Sequence, residues 1–243
     1  MTVRTLVTDI PLPSVAFDNA SFLSAPSFSE YTRLFVDPAA ASRLIDEVAQ
    51  ETAVHQTYGG QAIVSGAGSS FAFGLAELLE MRRRETARLL ERGGLIVCLG
   101  HPDATHTDVA WSRYSWLPAD EGFSPSQHLL PGFGTTGAAL SVDDHPFAPF
   151  VRTLPKSIAY RAYVDEDAPA FRERGRVFAR SAGGSAVGFD LPLAGGHLVF
   201  LPALEKPEAI RTQVATVVAE CLEAWDAAAA GQRPPEWIRK EAS

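Results

Sequence analysis

Apolar positions recur along the chain with two periods, one typical of strands and one typical of helices. Short β-prone runs at residues 4–10 and 31–37 each end at a proline, and the run at 95–99 lies between glycines, as strands often do. Residues 39–50 and 71–92 instead carry apolar side chains every three or four positions, the period of an amphipathic helix. The 95–99 run is apolar throughout, which predicts a strand buried on both faces, as in a parallel sheet.

A glycine- and serine-rich loop at residues 66–70 separates a brief β-prone run, 61–65, from the second helix. Free amides at a helix start can bind an anion, which would suit a flavin or a nucleotide. Phe71 stands where the dinucleotide fingerprint needs its third glycine, and no lysine follows the loop. We therefore interpret the loop as a helix cap and expect no cofactor.

The C-terminal third has a different pattern. A short helix at 146–153 and a strand at 157–163 precede three short strands joined through glycine turns, and a helix with an apolar stripe follows at 207–230. The three strands are predicted at 176–180, 185–190 and 197–202. We expect a three-layer α/β sandwich with a mostly parallel central sheet and an antiparallel C-terminal meander. Residues 1–231 would form one domain and 232–243 an extended tail.

Composition narrows the classes of partner. Of 243 residues, 46% are hydrophobic and 21% charged, and the formal net charge of −8 disfavours nucleic acid and membrane surfaces as partners. The basic run at residues 82–84 is interspersed with glutamates at helical spacing, which predicts a solvated helix face. Two cysteines, no signal-peptide pattern and no apolar run of about 18 residues predict a cytoplasmic protein, bacterial in style, without a disulfide framework.

Polar side chains of metal-binding and catalytic type follow the 95–99 strand. They are His101, Asp103, His106 and Asp108, and Asp143, Asp144 and His145 come farther along. Because ligands bind beyond the carboxyl ends of parallel strands, we predict a ligand site at residues 101–108. The spacing matches no established metal motif, so we predict an ordinary polar loop without a metal.

The connection from residue 100 to 141 has no long periodic segment but is rich in aromatic side chains. Trp111, Tyr114, Trp116 and Phe123, with Arg113 among them, would either line a pocket or interface, or fill a core beneath the loop. Both interpretations stay open, and Trp111 joins the predicted ligand-binding residues.

The residues around Cys98 resemble the nucleophile turn of class I glutamine amidotransferases, whose pattern is Gly-X-Cys-X-Gly-His-Gln. Cys98, Gly100 and His101 match, whereas Ile96 replaces the first glycine and Pro102 the glutamine. The family's second motif is His-X-Glu, and His197 has no glutamate two positions on. The candidates for catalysis are therefore Cys98, His101 and His197, in an incomplete triad.

A wider resemblance covers about half of the chain. The helix end at residues 87–94, the following apolar strand, the turn with His101 and the strand at 194–201 are similar to the trehalose-utilisation (ThuA-like) branch of the amidotransferase-like superfamily. That branch lacks the cysteine nucleophile. The resemblance implies a flavodoxin-like or amidotransferase-like sheet.

These observations favour a non-catalytic binding or assembly component, with a protein or a small polar ligand as its partner. The alternative is a hydrolase acting on a small sugar or amide through the loop from His101 to Asp108, with or without a metal ion. A fold alone does not distinguish them.

Overall fold

A computed structural model describes residues 3–10, 12–51, 53–56, 62–65, 69–102, 111–118, 122–132, 139–141, 144–154, 160–203 and 211–231. The strands are β1 (Thr5–Thr8), β2 (Phe17–Ala20), β3 (Arg33–Val36), β4 (Ala53–Gln56), β5 (Ala62–Ser65), β6 (Leu95–Gly100), β7 (Leu129–Pro131), β8 (Ala139–Ser141), β9 (Ala162–Val164), β10 (Arg176–Ser181), β11 (Ala186–Leu193) and β12 (Gly196–Pro202). The helices are α1 (Ala39–Glu51), α2 (Ser69–Glu91), α3 (Pro125–His128), α4 (Ala148–Thr153), α5 (Pro169–Arg174) and α6 (Arg211–Ala229).

The central sheet has eight strands in the order β2-β1-β3-β6-β12-β11-β10-β8. Strands β2, β1, β3, β6 and β12 are mutually parallel, and β11, β10 and β8 continue the sheet with antiparallel pairing. Counted along the chain, the five parallel strands stand in the order 2-1-3-4-5, which is the flavodoxin-like order. The predicted parallel sheet with an antiparallel C-terminal meander is confirmed.

Two hydrophobic cores make the molecule three layers deep. Ile96 and Cys98 of β6 point to the core beneath α1 and α2, whereas Leu95, Val97 and Leu99 point to the core beneath α4 and α6. Every residue of β6 is buried. An apolar side chain at each of its positions is what burial on both faces requires.

Some elements differ from the sequence expectations. Strand β2 has no counterpart among the predicted strands. Only Phe17 of its four residues is buried, and the strand lies at the sheet edge. Strand β5 pairs with β4 in a separate hairpin, and β9 pairs with β7 in another small sheet. The predicted strand at 157–163 begins outside the described residues, as does the predicted tail at 232–243.

The basic run on α2 is only partly a solvated face. Arg82 is 2% exposed, and its guanidinium donates hydrogen bonds to the carbonyl oxygens of Phe22, Ala25 and Pro26. It also forms an ion pair with Glu85 at 2.9 Å. Arg82 therefore ties α2 to the loop after β2, because main-chain carbonyls there need a donor once they are buried.

Among the described helices, none combines the length and the hydropathy that crossing a bilayer requires.

Candidate functional site

The carboxyl ends of three adjacent parallel strands each lead into an ionisable residue. Asp9 follows β1, Asp37 follows β3 and His101 follows β6. In the 2-1-3-4-5 order, the chain reverses its direction of sheet growth between β1 and β3. Crevices at such switch points are where open α/β sheets bind ligands. His101, which the sequence predicts to bind a ligand, therefore lies at the sheet edge where a ligand is expected.

Asp37 and His101 form a close pair at this edge. His101 Nε2 lies 3.1 Å from Asp37 Oδ1, and the His101 side chain is 7% exposed. The same carboxylate oxygen accepts the N–H of Ala39 at 2.9 Å, which fixes it at the start of α1. Burial raises the pKa of Asp37, but the hydrogen bonds and positive charges, led by His101, outweigh it and lower the pKa.

Asp9 has the opposite electrostatic character. Its pKa is raised, mainly because it is partly buried, although the N–H of Phe22 donates to its Oδ2 at 3.0 Å. Its backbone has a φ of 63°, in the left-handed region that aspartate tolerates better than most residues. The edge therefore holds one carboxyl group with a lowered pKa and one with a raised pKa, as sites that handle protons often do.

A cavity of about 330 Å³ lies between α2 and the segments at 111–118 and 124–126. Its wall includes Trp111 and Tyr114 on one side and Leu79, Glu80 and Arg83 of α2 on the other. The Tyr114 hydroxyl donates to the His101 carbonyl at 2.6 Å and accepts the His101 N–H at 3.0 Å. The aromatic wall of the cavity is therefore hydrogen-bonded directly to the main chain of the residue that follows β6.

The aromatic residues after β6 divide between the two predicted roles. Trp116, Tyr114 and Phe123 are buried in the core beneath α1 and α2, whereas Trp111 is partly buried and lines the cavity. The other predicted ligand-binding residues, Asp103, His106 and Asp108, lie outside the described residues, as does Asp143.

Cys98 lies inside a straight strand. It is fully buried, stands directly opposite Val36 of β3 and Phe200 of β12, and is followed by two more residues of β6. Burial raises the pKa of the Cys98 thiol well above its ordinary value. A thiolate is the reactive form of cysteine, so this environment suppresses nucleophilicity.

His197 lies on the other face of the sheet. It stands opposite Leu95, three positions before Cys98 on β6, and its ring meets Trp225 of α6 at a centroid distance of 4.9 Å. Cys98 faces α1 and α2 instead. The structure therefore does not bring the two candidate triad residues together.

An acid that the sequence did not predict accompanies His197. The His197 Nδ1 lies 2.9 Å from Oδ1 and 3.2 Å from Oδ2 of Asp190, on the neighbouring strand β11. His145 approaches the same carboxylate, with its Nε2 3.8 Å from Asp190 Oδ2. Burial raises the pKa of Asp190, but its interactions with His145 and His197 outweigh burial and lower the pKa.

No three His, Cys, Asp or Glu side chains within the described ranges form a group that could hold a metal ion.

Three residues of these sites were not singled out in the sequence: Asp9, Asp37 and Asp190. His145 was named, but its proximity to Asp190 was not predicted. Asp9 and Asp37 fell within the predicted strands at 4–10 and 31–37. A carboxylate at the end of a parallel strand is a usable signal, because it marks the ligand-binding edge. Asp190 had no local signal, since the register of the hairpin is what brings it to His197.

No family model matches the chain. No curated protein matches it either. Among solved structures, the cytoplasmic protein STM1381 of Salmonella typhimurium LT2 is 11% identical, with 91% of this chain and 98% of that chain covered and a TM-score of 0.45. The cytoplasmic protein STM3548 of Salmonella typhimurium is 9% identical over 90% of this chain and 98% of that chain, with a TM-score of 0.43. A putative GMP synthase component of Thermoplasma acidophilum is 10% identical over 94% of this chain and 99% of that chain, with a TM-score of 0.39. These similarities are too low to assign an activity.

Proposed function

We propose that this chain is an amidotransferase-like domain that binds a small polar ligand and does not hydrolyse glutamine. It would be most similar to the trehalose-utilisation branch, and a protein is the alternative partner to a small polar ligand. The observation that carries the proposal is the cavity beside Trp111. Hydrogen bonds between Tyr114 and His101 connect this cavity to the sheet edge where the parallel strands end.

The cavity has the mixed lining that small polar ligands need. Apolar surface comes from Trp111, Leu79 and Leu117, whereas Ser112, Ser115, Ser124 and Ser126 offer hydroxyl groups. A volume of about 330 Å³ lies at the lower end of the range for ligand pockets. An aromatic face beside hydroxyl groups suits a compact sugar or amide.

The position of Cys98 supports the proposal that the chain does not hydrolyse glutamine. A glutaminase of the class I type needs its thiol on a sharp turn with a histidine in hydrogen-bond reach. Cys98 instead has neighbouring strands on both sides, and His197 faces the opposite core. Neither the geometry nor the raised pKa of this thiol supplies an attacking thiolate.

Ligand-observed NMR on a mixture of small sugars, amides and amino acids tests the binding function. We expect at least one component to bind saturably to the wild-type protein and to lose binding in Trp111→Ala. The matched control is Trp225→Phe, a change in α6 on the opposite face of the sheet, which should bind as the wild type does. Binding by no component, or equal binding in Trp111→Ala, would contradict the proposal.

A hydrolase acting on a small sugar or amide is the second candidate. The close pair of His101 and Asp37 at the switch point favours it, because a carboxylate that orients a histidine is typical of acid–base catalysis. Elemental analysis tests whether such a hydrolase uses a metal ion. A stoichiometric metal ion that is lost in His101→Ala would support metal-assisted hydrolysis, and a metal-free protein would contradict it.

A further inference from the structure

Asp190 and His197 form a dyad at the edge of the sheet opposite His101. His197 is the second residue of β12, whereas His101 follows the other end of the adjoining strand β6. His197 is in register with Leu95, and His101 lies farther along the same strand direction, so at about 3.3 Å per residue the two residues are separated by roughly 20 Å. The dyad is therefore independent of the proposed ligand site.

The buried carboxylate determines which nitrogen of His197 carries the proton. The Asp190 side chain is 9% exposed, and an ionised carboxylate only accepts hydrogen bonds. Nδ1, at 2.9 Å, must therefore be the N–H donor. The neutral ring then has its lone pair on Nε2, and the His197 side chain is 38% exposed to solvent.

The surroundings hold the dyad rigidly. The main-chain N–H of His197 donates to the Gly94 carbonyl at 3.0 Å, and the Trp225 ring packs edge-on against the imidazole. On the far side of the carboxylate, His145 is nearly fully buried and stacks on Phe178 at 4.1 Å with an interplanar angle of 6°. A fixed orientation is what a catalytic histidine requires of its supporting residues.

Other charged groups border the dyad. Arg33 of β3 is paired with Asp226 of α6, and Glu223 of the same helix acts on it electrostatically. Arg176 stands directly opposite Asp190 on β10. Of the described residues, Asp190 is the carboxylate that contacts His197.

We propose that His197 is a general base that activates water for the hydrolysis of small carboxyl esters, with Asp190 as its positioning residue. Nε2 removes a proton from water while the water oxygen bonds to the carbonyl carbon. The bond from that carbon to the leaving oxygen then breaks, the leaving oxygen keeps the electron pair, and the proton on Nε2 passes to it. One ester and one water give one acid and one alcohol. Trp225, which is partly exposed and packs edge-on against the imidazole, offers the apolar surface for the acyl group.

Hydrolysis of p-nitrophenyl acetate by four purified proteins tests this proposal. His197→Asn is the informative variant, because its amide nitrogen can keep the hydrogen bond to Asp190 while Nε2 is removed. We expect it to lose about 100-fold in rate, the typical contribution of a general base. Asp190→Asn should also lose activity. His128→Gln, which changes a histidine that hydrogen-bonds to Ser124 rather than to a carboxylate, should keep the wild-type rate.

Nitrogen NMR of the imidazoles gives a second measurement that does not depend on activity. We expect His197 to be in the Nδ1–H form when neutral, and the hydrolysis rate to rise with pH through the pKa measured for His197 in the same titration. A wild-type rate equal to that of His197→Asn would overturn the proposal. So would the Nε2–H form of His197, or a pH profile that does not follow its titration.

Discussion

Cys98 and His197 lie on neighbouring strands but on opposite faces of the sheet. Cys98 stands opposite Phe200 in the core beneath α1 and α2, and His197 contacts Trp225 of α6. Successive side chains alternate between the two faces of a strand, so a spacing of three positions separates them. The sequence around Cys98 thus matches part of the nucleophile pattern, but the structure does not bring His197 to the thiol.

Both thiols should be inert in the folded protein. Cys98 and Cys221 are buried, and burial raises the pKa of Cys221 to about 12. Titration with a chromogenic disulfide reagent should find no fast-reacting thiol under native conditions and two in guanidinium chloride. A rapid native reaction that disappears in Cys98→Ala would show that the thiol is exposed and reactive.

Arg82 should contribute far more to stability than its neighbour Arg83. Arg82→Ala leaves three carbonyl groups without their donor and removes the ion pair of the partly buried Glu85, so we expect a loss of about 3–5 kcal/mol in the free energy of unfolding. Arg83→Ala removes only an exposed pair with Glu80 and should cost less than about 1 kcal/mol. Urea unfolding of both variants measures the contrast, and equal losses would refute the role assigned to Arg82.

Two glycines should respond to alanine in opposite directions. A Cβ atom on Gly196 would overlap the carbonyl oxygen of Gly94, where β12 passes close to the end of α2. A Cβ on Gly74 has no atom within 4 Å and lies inside helix α2. We expect Gly196→Ala to destabilise the protein by roughly 1–3 kcal/mol and Gly74→Ala to stabilise it by about 0.5–1 kcal/mol. Thermal unfolding midpoints would reveal whether the signs differ as stated.

The stability of the protein should depend on pH through its buried carboxylates. The pKa of Asp190 is lowered in the folded state, so its contribution is present above the unfolded pKa of about 3.9 and is lost as pH falls through the lower folded pKa. The advantage of wild type over Asp190→Asn in free energy of unfolding should therefore shrink between about pH 5 and pH 3.

Asp9 supplies the control of opposite sign. Its pKa is raised by burial, so its favourable contribution is present at low pH and is lost as pH rises through the folded pKa. Relative to Asp9→Asn, the wild-type protein should become more stable as the solution is acidified over the same range. If the stability difference from wild type changed with pH in the same direction for both variants, the raised pKa of Asp9 and the lowered pKa of Asp190 could not both be correct.

The fold was predictable wherever local pattern determines it. The 95–99 run is apolar at every position, so burial on both faces and a parallel sheet followed directly. The glycine turns likewise predicted the C-terminal meander, and Gly195 adopts the expected positive φ of 96°. Strand β2 escaped detection because an edge strand buries little and needs no apolar alternation.

The sites were less predictable, since they depend on pairing between distant segments. His101 was found from the strand that precedes it, but Asp37, its partner, comes from a strand 64 positions earlier and was identified only through the sheet order. Asp190 reaches His197 through the hairpin register. Arg82 looked like its neighbours because a charge pattern does not reveal which arginine meets buried carbonyl groups.

Ammonia release from glutamine tests whether the thiol of Cys98 can support glutaminase activity, which its burial inside β6 should prevent. The wild-type protein and Cys98→Ala should both release ammonia at the rate of a protein-free control, with a known glutaminase as positive reference. Release by the wild-type protein that Cys98→Ala abolishes would contradict the account, because a buried thiol inside a strand cannot attack a substrate.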